Sequence, residues 1–518
     1  MLILLPVLIL VLAALTLVIL RFTRPTFRYP WLVAIAGSTF SFIVVLIWQT
    51  RLPQSFFLTP WQPVMGLGFS LSWRADGVSW PYALSLAALA AAVIWTSVVR
   101  AEKDSLTWAG TLLLAALGIL AVAAENPFTL VLAWSAVDLA ELTTMLRSTV
   151  GNDQNKAVVI AFTARMVGTG LVLWASLVAV AGGIILSFQA IPASAGIYLL
   201  IAAGLRLGVL PLHLPYQQEI ALRRGFGTTL RLVSAAASLA LLARIPVGAL
   251  SSSLAPYLLV LAAIAALYTG WLWLRASDEI LGRPFWVLGM SALSVAASLR
   301  GNPPGSIGWG VTLVLCGGVL FLFSARQRRI LWLPLIALWS LSALPFSTSA
   351  TAWQTGNQSS WLFIIPFIPA QALLMAGVVR HALNPGETSF ESQAIWTKTI
   401  YPTGLFMLTG TAVLLGFWGW IGSKVIGFWW VSIISLALAA AFSTLALTLL
   451  PRLALPNIST QWTRIFRLEW LLQILSALYH FFHRIADIIT SSLEGEGGLL
   501  WSLTLLALIL SVLSTWGH

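Results

Sequence analysis

Five ionisable residues stand inside apolar runs. In the stretch NPFTLVLAWSAVDLAELTTML, Asp138 and Glu141 lie three positions apart and so share one helical face. FTARMVGTG carries Arg165, GLRLGVLPLHLPY carries Arg206, and GTTLRLVSAAAS carries Arg231. Two acids and three arginines in four successive apolar segments have two chemical uses. They can pair with one another, since each charge alone in hydrocarbon costs about 2.5–3.5 kcal/mol on the insertion scale. They can also line an ion path, where intramembrane ionisable groups commonly sit. Glu141 and Arg231 have a third option, because both lie near segment ends from which a long side chain reaches water. Beyond Arg206 come Pro211, His213 and Pro215. Prolines there stop a helix and free backbone groups, which a membrane tolerates only beside protein or a water-filled cavity. Broken helices next to buried charges are typical of ion pathways. His213 itself stands at a segment end, where contact with the membrane interface is the simpler expectation.

Other chemistry has little footing. The single cysteine, Cys316, excludes an internal disulfide and any thiolate cluster. Of the five histidines only His480 and His483 are close in sequence, and no carboxylate motif accompanies them, so no metal site is assigned. There is no cysteine set for an iron–sulfur cluster and no Gly-rich dinucleotide loop. No catalytic residue and no cofactor are therefore expected, and any oxidoreductase activity would belong to partner subunits.

The elements that must hold the five charges are membrane spans. Of 518 residues, 59% are apolar and only 8% charged, too little polar surface to cover a water-soluble core. Mean hydropathy is +0.93. Windows of about 20 apolar residues, enough to cross a bilayer, fall near 2–20, 30–50, 80–98, 106–124, 127–146, 157–182, 194–212, 228–248, 254–274 and 284–299. Six more fall near 305–324, 330–346, 360–379, 400–422, 427–450 and 498–516. The first window has no basic residue ahead of it and no small-residue cleavage site, so it reads as a retained helix rather than a secretion signal. The fold expected is an all-α polytopic membrane protein of about 16 transmembrane helices.

A net charge of +12 invites nucleic acid, but arginine excess in a multi-span chain marks cytoplasmic loops instead. About 20 of the 28 basic residues fall after odd-numbered spans, among them Arg21, Arg24, Arg28, Arg326, Arg328 and Arg329. About five (Arg51, Arg74, Arg244, Arg300 and Lys424) fall after even-numbered ones. That alternation places both termini on the outer face of a prokaryotic cytoplasmic membrane, with the lipid bilayer as partner and no nucleic acid. The 26 tryptophans gather at span ends, as in GFWGWIGSK and GFWWVS, which suits an aromatic belt rather than a binding site.

One segment between spans is itself helical in pattern. Over 467–491, Leu468, Leu471, Leu475, Leu478, Phe482, Ile485 and Ile489 recur at helical spacing. Glu469, Gln473, Ser476, His480, His483, Asp487 and Thr490 run along the opposite face. Such a helix either lies in the headgroups or braces neighbouring helices.

Two motifs carry a resemblance. LSWRADGVSWPYALSL resembles the Asp-Gly-Leu-Ser signature that opens the third span of the antiporter-like membrane subunits of respiratory complex I, Mrp-type cation/proton antiporters and membrane-bound hydrogenases. LRLGVLPLHLPY resembles that family's seventh-span motif, Lys-Ser-Ala-Gln-x-Pro-Leu-His-x-Trp-Leu-Pro, with Arg206 at the lysine. The resemblance implies two inverted five-helix repeats, over 105–250 and, in degenerate form, 253–382. These follow N-terminal spans in 1–104 and precede C-terminal spans in 400–518, with 467–491 as an amphipathic lateral helix. It also implies proton or cation translocation within a complex-I-like, NADH:quinone oxidoreductase or hydrogenase-type assembly, with other membrane subunits as partners.

The departures bear on that role. Trp134-Ser135 stands at the family's Trp-Glu, leaving Asp138 one turn later as a substitute acid. Ser234 falls at the eighth-span histidine, while Trp309, Leu313 and Gly317 fall at two histidines and a lysine. Ala352 falls at a further lysine. Arginine keeps its proton in a protein, so Arg206 can serve as a fixed charge but cannot hand a proton on. Three readings stay open: an ion-translocating subunit, a non-pumping structural subunit of the same kind of assembly, and an independent secondary transporter.

Overall fold

The computed structural model describes residues 2–58, 70–99, 104–148, 152–213, 224–246, 254–354, 361–419 and 427–448, apart from 185, 190, 388, 389 and 392, with scattered positions between 473 and 507. The chain divides into two compact units, 1–458 and 459–518. In the first unit the helices are α1 Leu5–Thr23, α2 Pro30–Trp48, α3 Ser79–Thr96, α4 Ser105–Val122, α5 Pro127–Ser148, α6 Asn152–Ala181, α7 Ala193–Arg206 and α8 Arg224–Leu242. They continue as α9 Ala255–Arg275, α10 Glu279–Leu299, α11 Pro303–Leu322, α12 Trp332–Leu341, α13 Phe367–Leu383, α14 Ile395–Leu414 and α15 Trp429–Thr448. Among the described residues twelve helices are long and apolar enough to cross a membrane. The protein is an integral membrane protein of helical build.

At the starts of α4, α10 and α11 a side chain satisfies free backbone N–H groups of the first turn. Asp278 accepts from the N–H groups of Ile280 and Leu281 at α10, and Asn302 accepts from Gly305 N–H at α11, where Pro303 has no N–H to satisfy. The faces turned outward are apolar, as with Leu5, Leu8, Leu12, Leu15 and Ile19 on α1, as lipid contact requires. α11 is the axial element: every residue from Gly305 to Leu322 is buried, and it packs on α3, α8, α10, α12 and α14. α4 packs against α8, and α9 packs in the same way against α13.

Three departures from the sequence reading have local causes. The seventh span, expected to 212, stops as a helix at Arg206. Gly208 takes φ +77, a left-handed conformation suited to glycine, and Pro211 has no N–H to continue the ladder. Val209 and Leu210 N–H turn back onto Gly204 O at 2.9 and 3.1 Å. The twelfth span, expected to 346, stops at Leu341, and Ala343 (φ 57) and Phe346 (φ 62) enter the left-handed region at a cost of about 1–3 kcal/mol each. The segment ahead of α3 is not plain loop: β1 Gln54–Phe57 and β2 Ser72–Ala75 pair antiparallel, with Trp73 opposite Phe56.

In the second unit, Gln473, Ser476, His480, His483 and Asp487 are helical and exposed, and His483 Nδ1 lies 2.7 Å from Asp487 Oδ2 one turn on. The apolar stripe from Leu468 to Ile489, and all of the 498–516 segment but four positions, lie outside the described residues.

Candidate functional site

Four helices deliver the five charges to one place. α5 presents Asp138 and Glu141 on one face, α6 presents Arg165, α7 ends on Arg206, and α8 presents Arg231. Arg206 grips Asp138 with both prongs of its guanidinium, Nη1 to Oδ2 at 2.6 Å and Nη2 to Oδ1 at 2.9 Å. This bidentate geometry is the strong form of the contact. Its remaining N–H groups reach Thr169 Oγ1 at 3.1 Å, the Arg165 carbonyl at 3.3 Å and Ser238 Oγ at 3.4 Å. The guanidinium carbon stands 4.1 Å from the centre of the Trp134 ring, a cation–π contact. A Cβ on Gly168 would come within 2.7 Å of Arg206 Cγ, so the bare backbone there makes room for the arginine stem.

Arg165 lies between the two acids. Its Nη1 bonds Glu141 Oε2 and stands 3.7 Å from Asp138 Oδ1. Glu141 Oε1 in turn accepts from Arg231 Nη1, and Arg231 Nη2 lies 3.8 Å from Met145 Sδ. The order is Arg231–Glu141–Arg165–Asp138–Arg206, alternating in sign, with no member more than 4% exposed. Glu141 and Arg231 therefore do not reach out to water, although their positions near segment ends allowed it. The buried partner of opposite charge is the better solvent for each. Three cations on two acids leave one positive charge in excess.

His213 is buried at 2% exposure with Nδ1 2.9 Å from Pro211 O, and so departs from the expected place at the interface. The reversal of the chain after α7 draws it inward. Pro211 sits in that turn, and Pro215 lies outside the described residues. The four residues of α11 and the turn after α12 that the resemblance sets against histidine or lysine carry no charge. Trp309 is buried and edge-on to Trp353 at 5.7 Å, Leu313 O accepts from Trp286 Nε1 at 3.2 Å, and Gly317 and Ala352 are packed. None of these four residues can titrate.

Further buried charges escaped the sequence reading. Arg224, on the first residue of α8, bonds Glu279 Oε1 at 2.8 Å and also Glu387. Arg326 reaches the same Glu279 oxygen at 2.5 Å. Arg283 Nη1 donates to Thr228 Oγ1 at 3.0 Å. The signal was Asp278-Glu279 opening a helix with Arg283 one turn on, which the apolar window 284–299 left outside. At the opposite end of α8, Arg244 pairs with Asp76 at 2.9 Å, and Asp76 Oδ1 accepts from Val78 and Ser79 N–H at 3.1 and 2.8 Å. Burial alone would raise the Asp76 carboxyl, but the Arg244 guanidinium and the Ser79 N–H outweigh it and hold Asp76 below the usual range.

No protein-family model and no curated protein sequence matches the chain. Solved structures do. A chain of the Mrp complex from Dietzia sp. DQ12-45-1b superposes with a TM-score of 0.71 at 14% identity over 100% of this chain, which spans 63% of that chain's length. A chain of the membrane-bound sulfane sulfur reductase, an archaeal respiratory membrane complex, gives 0.60 at 13% identity, covering 97% of this chain and 99% of that one. A chain of respiratory complex I from Thermus thermophilus gives 0.62 at 19% identity, covering 85% of this chain and 100% of that one. The fold is that of the antiporter-like membrane subunits. At such identities the likeness concerns architecture alone, and the chemistry rests on the chain's own side chains.

Proposed function

We propose that the chain is an antiporter-like membrane subunit of a multi-subunit, complex-I-like or hydrogenase-type assembly, in which the buried charge chain is a fixed pairing network rather than a proton relay. The observation that carries this is the double-pronged grip of Arg206 on Asp138 at the break of α7. A relay at that point needs a group that gives up its proton, and arginine keeps it. The three structural likenesses are all to chains of multi-subunit membrane complexes, which supports assembly with other membrane subunits. The reading extends to sixteen spans with both termini outside, to 467–491 as a lateral helix, and to 105–250 and 253–382 as two inverted repeats. The shared packing of α4 on α8 and α9 on α13, and the paired breaks in α7 and α12, support the repeats.

The test is purification of the tagged chain from its native membrane in mild detergent, followed by ion-flux measurement in vesicles. Other membrane subunits should co-purify, and a chain that comes away alone overturns the assembly reading. Arg206→Lys restores a group able to titrate and should leave flux as it was. If Arg206→Leu abolishes a measurable flux in a correctly folded complex, the fixed-pair account fails.

A further inference from the structure

The end of the bundle where α8 and α10 begin and α11 stops carries its own set of charges. Glu279 is the first residue of α10, so its carboxylate sits at the positive end of that helix dipole. α11 ends at Leu322, leaving carbonyls with no partner inside the helix. Arg224 Nη1 donates to one of them, Phe321 O, at 2.8 Å. Tyr401 Oη donates to the next, Leu322 O, at 3.1 Å, and accepts from Ala325 N–H at 3.1 Å. Two oppositely polarised helix ends thus call for an acid and a base side by side, and Arg224 and Glu279 answer both.

The pair is extended on either side. Arg326 joins Glu279 and donates to Asn384 O at 2.6 Å, while Glu387 joins Arg224 and its own N–H donates to Ser324 O at 3.0 Å. Segments 323–326 and 384–387 therefore lock together, and the alternation Arg326–Glu279–Arg224–Glu387 closes through their backbone. Three of the four side chains are no more than 8% exposed, and only Glu387, at 60%, faces outward. One turn deeper along α8, Thr228 is fully buried and holds Arg283, whose guanidinium carbon is 6.0 Å from the Phe321 ring centre. Another turn on is Arg231, the end of the buried charge chain.

We propose that Arg224, Glu279, Arg326 and Glu387 form an ionic clasp that seals this end of the bundle and keeps water from running along α8 to Thr228, Arg283 and the buried charge chain. The clasp joins the start of α8, in the first proposed repeat, to α10 and the end of α11, in the second, so it also fastens the two together. That this end faces the cytoplasm rests on the orientation proposed above.

The test reads water access at Thr228. Thr228→Cys is placed in a Cys316→Ala background of the whole complex, and a charged methanethiosulfonate reagent is applied from each side of the membrane separately. With the clasp intact Cys labelling should be slow from both sides. Glu279→Gln or Glu387→Gln should accelerate it about tenfold from the cytoplasmic side, the ratio that about 1.4 kcal/mol of lost closure represents. If Glu279→Gln fails to fold, Glu387→Gln, at the exposed member, decides alone. Fast labelling with the clasp intact, or unchanged labelling in folded variants, overturns the clasp. Acceleration only from the outer side keeps the clasp and overturns the orientation.

Discussion

α7 ends at Arg206 on a carboxylate, whereas α12 ends at Leu341 among hydroxyls. Both breaks lie inside the bundle and both expose backbone groups that must find partners away from water. At the first, a guanidinium fork, two carboxylates and two further arginines meet. At the second, Ser349 Oγ donates to Ser340 O at 2.7 Å and accepts from Ala343 N–H at 3.0 Å. Thr312 Oγ1 and Thr348 Oγ1 share a hydrogen bond at 2.7 Å, Gln371 Nε2 donates to Leu341 O at 2.7 Å, and Ser432 Oγ donates to Ala343 O at 2.9 Å. Either chemistry can hold a broken helix. The first set is built from charges, whereas the second is hydroxyl and amide with the buried Arg300 at its far end, its Nη2 donating to Ala352 O at 3.3 Å. The two breaks differ less in architecture than in how much charge they hold.

The comparison breaks most readily at Arg206. Arg206→Leu or Asp138→Leu alone leaves a buried charge without its partner and should cost about 3–5 kcal/mol, read as lost folded yield and a lower thermal midpoint. The double substitution should regain much of the loss. If it is as damaging as the sum of the singles, the two residues do not act as a pair. A smaller effect is expected at the neutral break. Ser349→Ala strands the Ala343 N–H, and a buried donor without an acceptor costs about 1–3 kcal/mol. Equal losses at the two breaks would erase the distinction drawn between them.

The smallest effect concerns acid sensitivity. The folded state holds Asp76 below its ordinary range, so its pairing with Arg244 stabilises the fold above the unfolded value and is lost as pH falls through the folded one. Thermal midpoints should therefore fall on acidification below about pH 4, the reference range of an aspartate. Asp76→Asn should flatten that part of the profile. An unaltered profile in the variant would place the acid sensitivity elsewhere, for instance among the buried carboxylates.

How far the sequence carried this picture depends on which physical constraint is strongest at each residue. Apolar windows located the helices because hydrocarbon tolerates nothing else. The five charges were legible for the same reason, since an arginine within an apolar run advertises its own cost. The grip of Arg206 on Asp138 was foreseeable as a need for a partner, though which acid took it depended on the rotation of α5. The early stop of α12 was hidden, because Ser340 to Thr351 reads as a mild continuation of an apolar span and its turn uses left-handed Ala343 and Phe346 rather than glycine. The clasp was hidden for a different reason. Arg224, Glu279, Arg326 and Glu387 sit in what reads as polar loop, and only the helix ends packed around them bring the first three under cover.

One packing detail of α11 limits which side chains that helix can accept. On α11 the backbone at Gly317 is built over: a Cβ there would meet Trp286 Nε1 at 2.4 Å. That same indole nitrogen donates to Leu313 O. Gly317→Lys would force the tryptophan out and break its hydrogen bond, so a charged side chain there is penalised by packing before any electrostatic effect. Trp286 acts as a ratchet: any sequence that placed an ionisable side chain at this position would have to change the indole first.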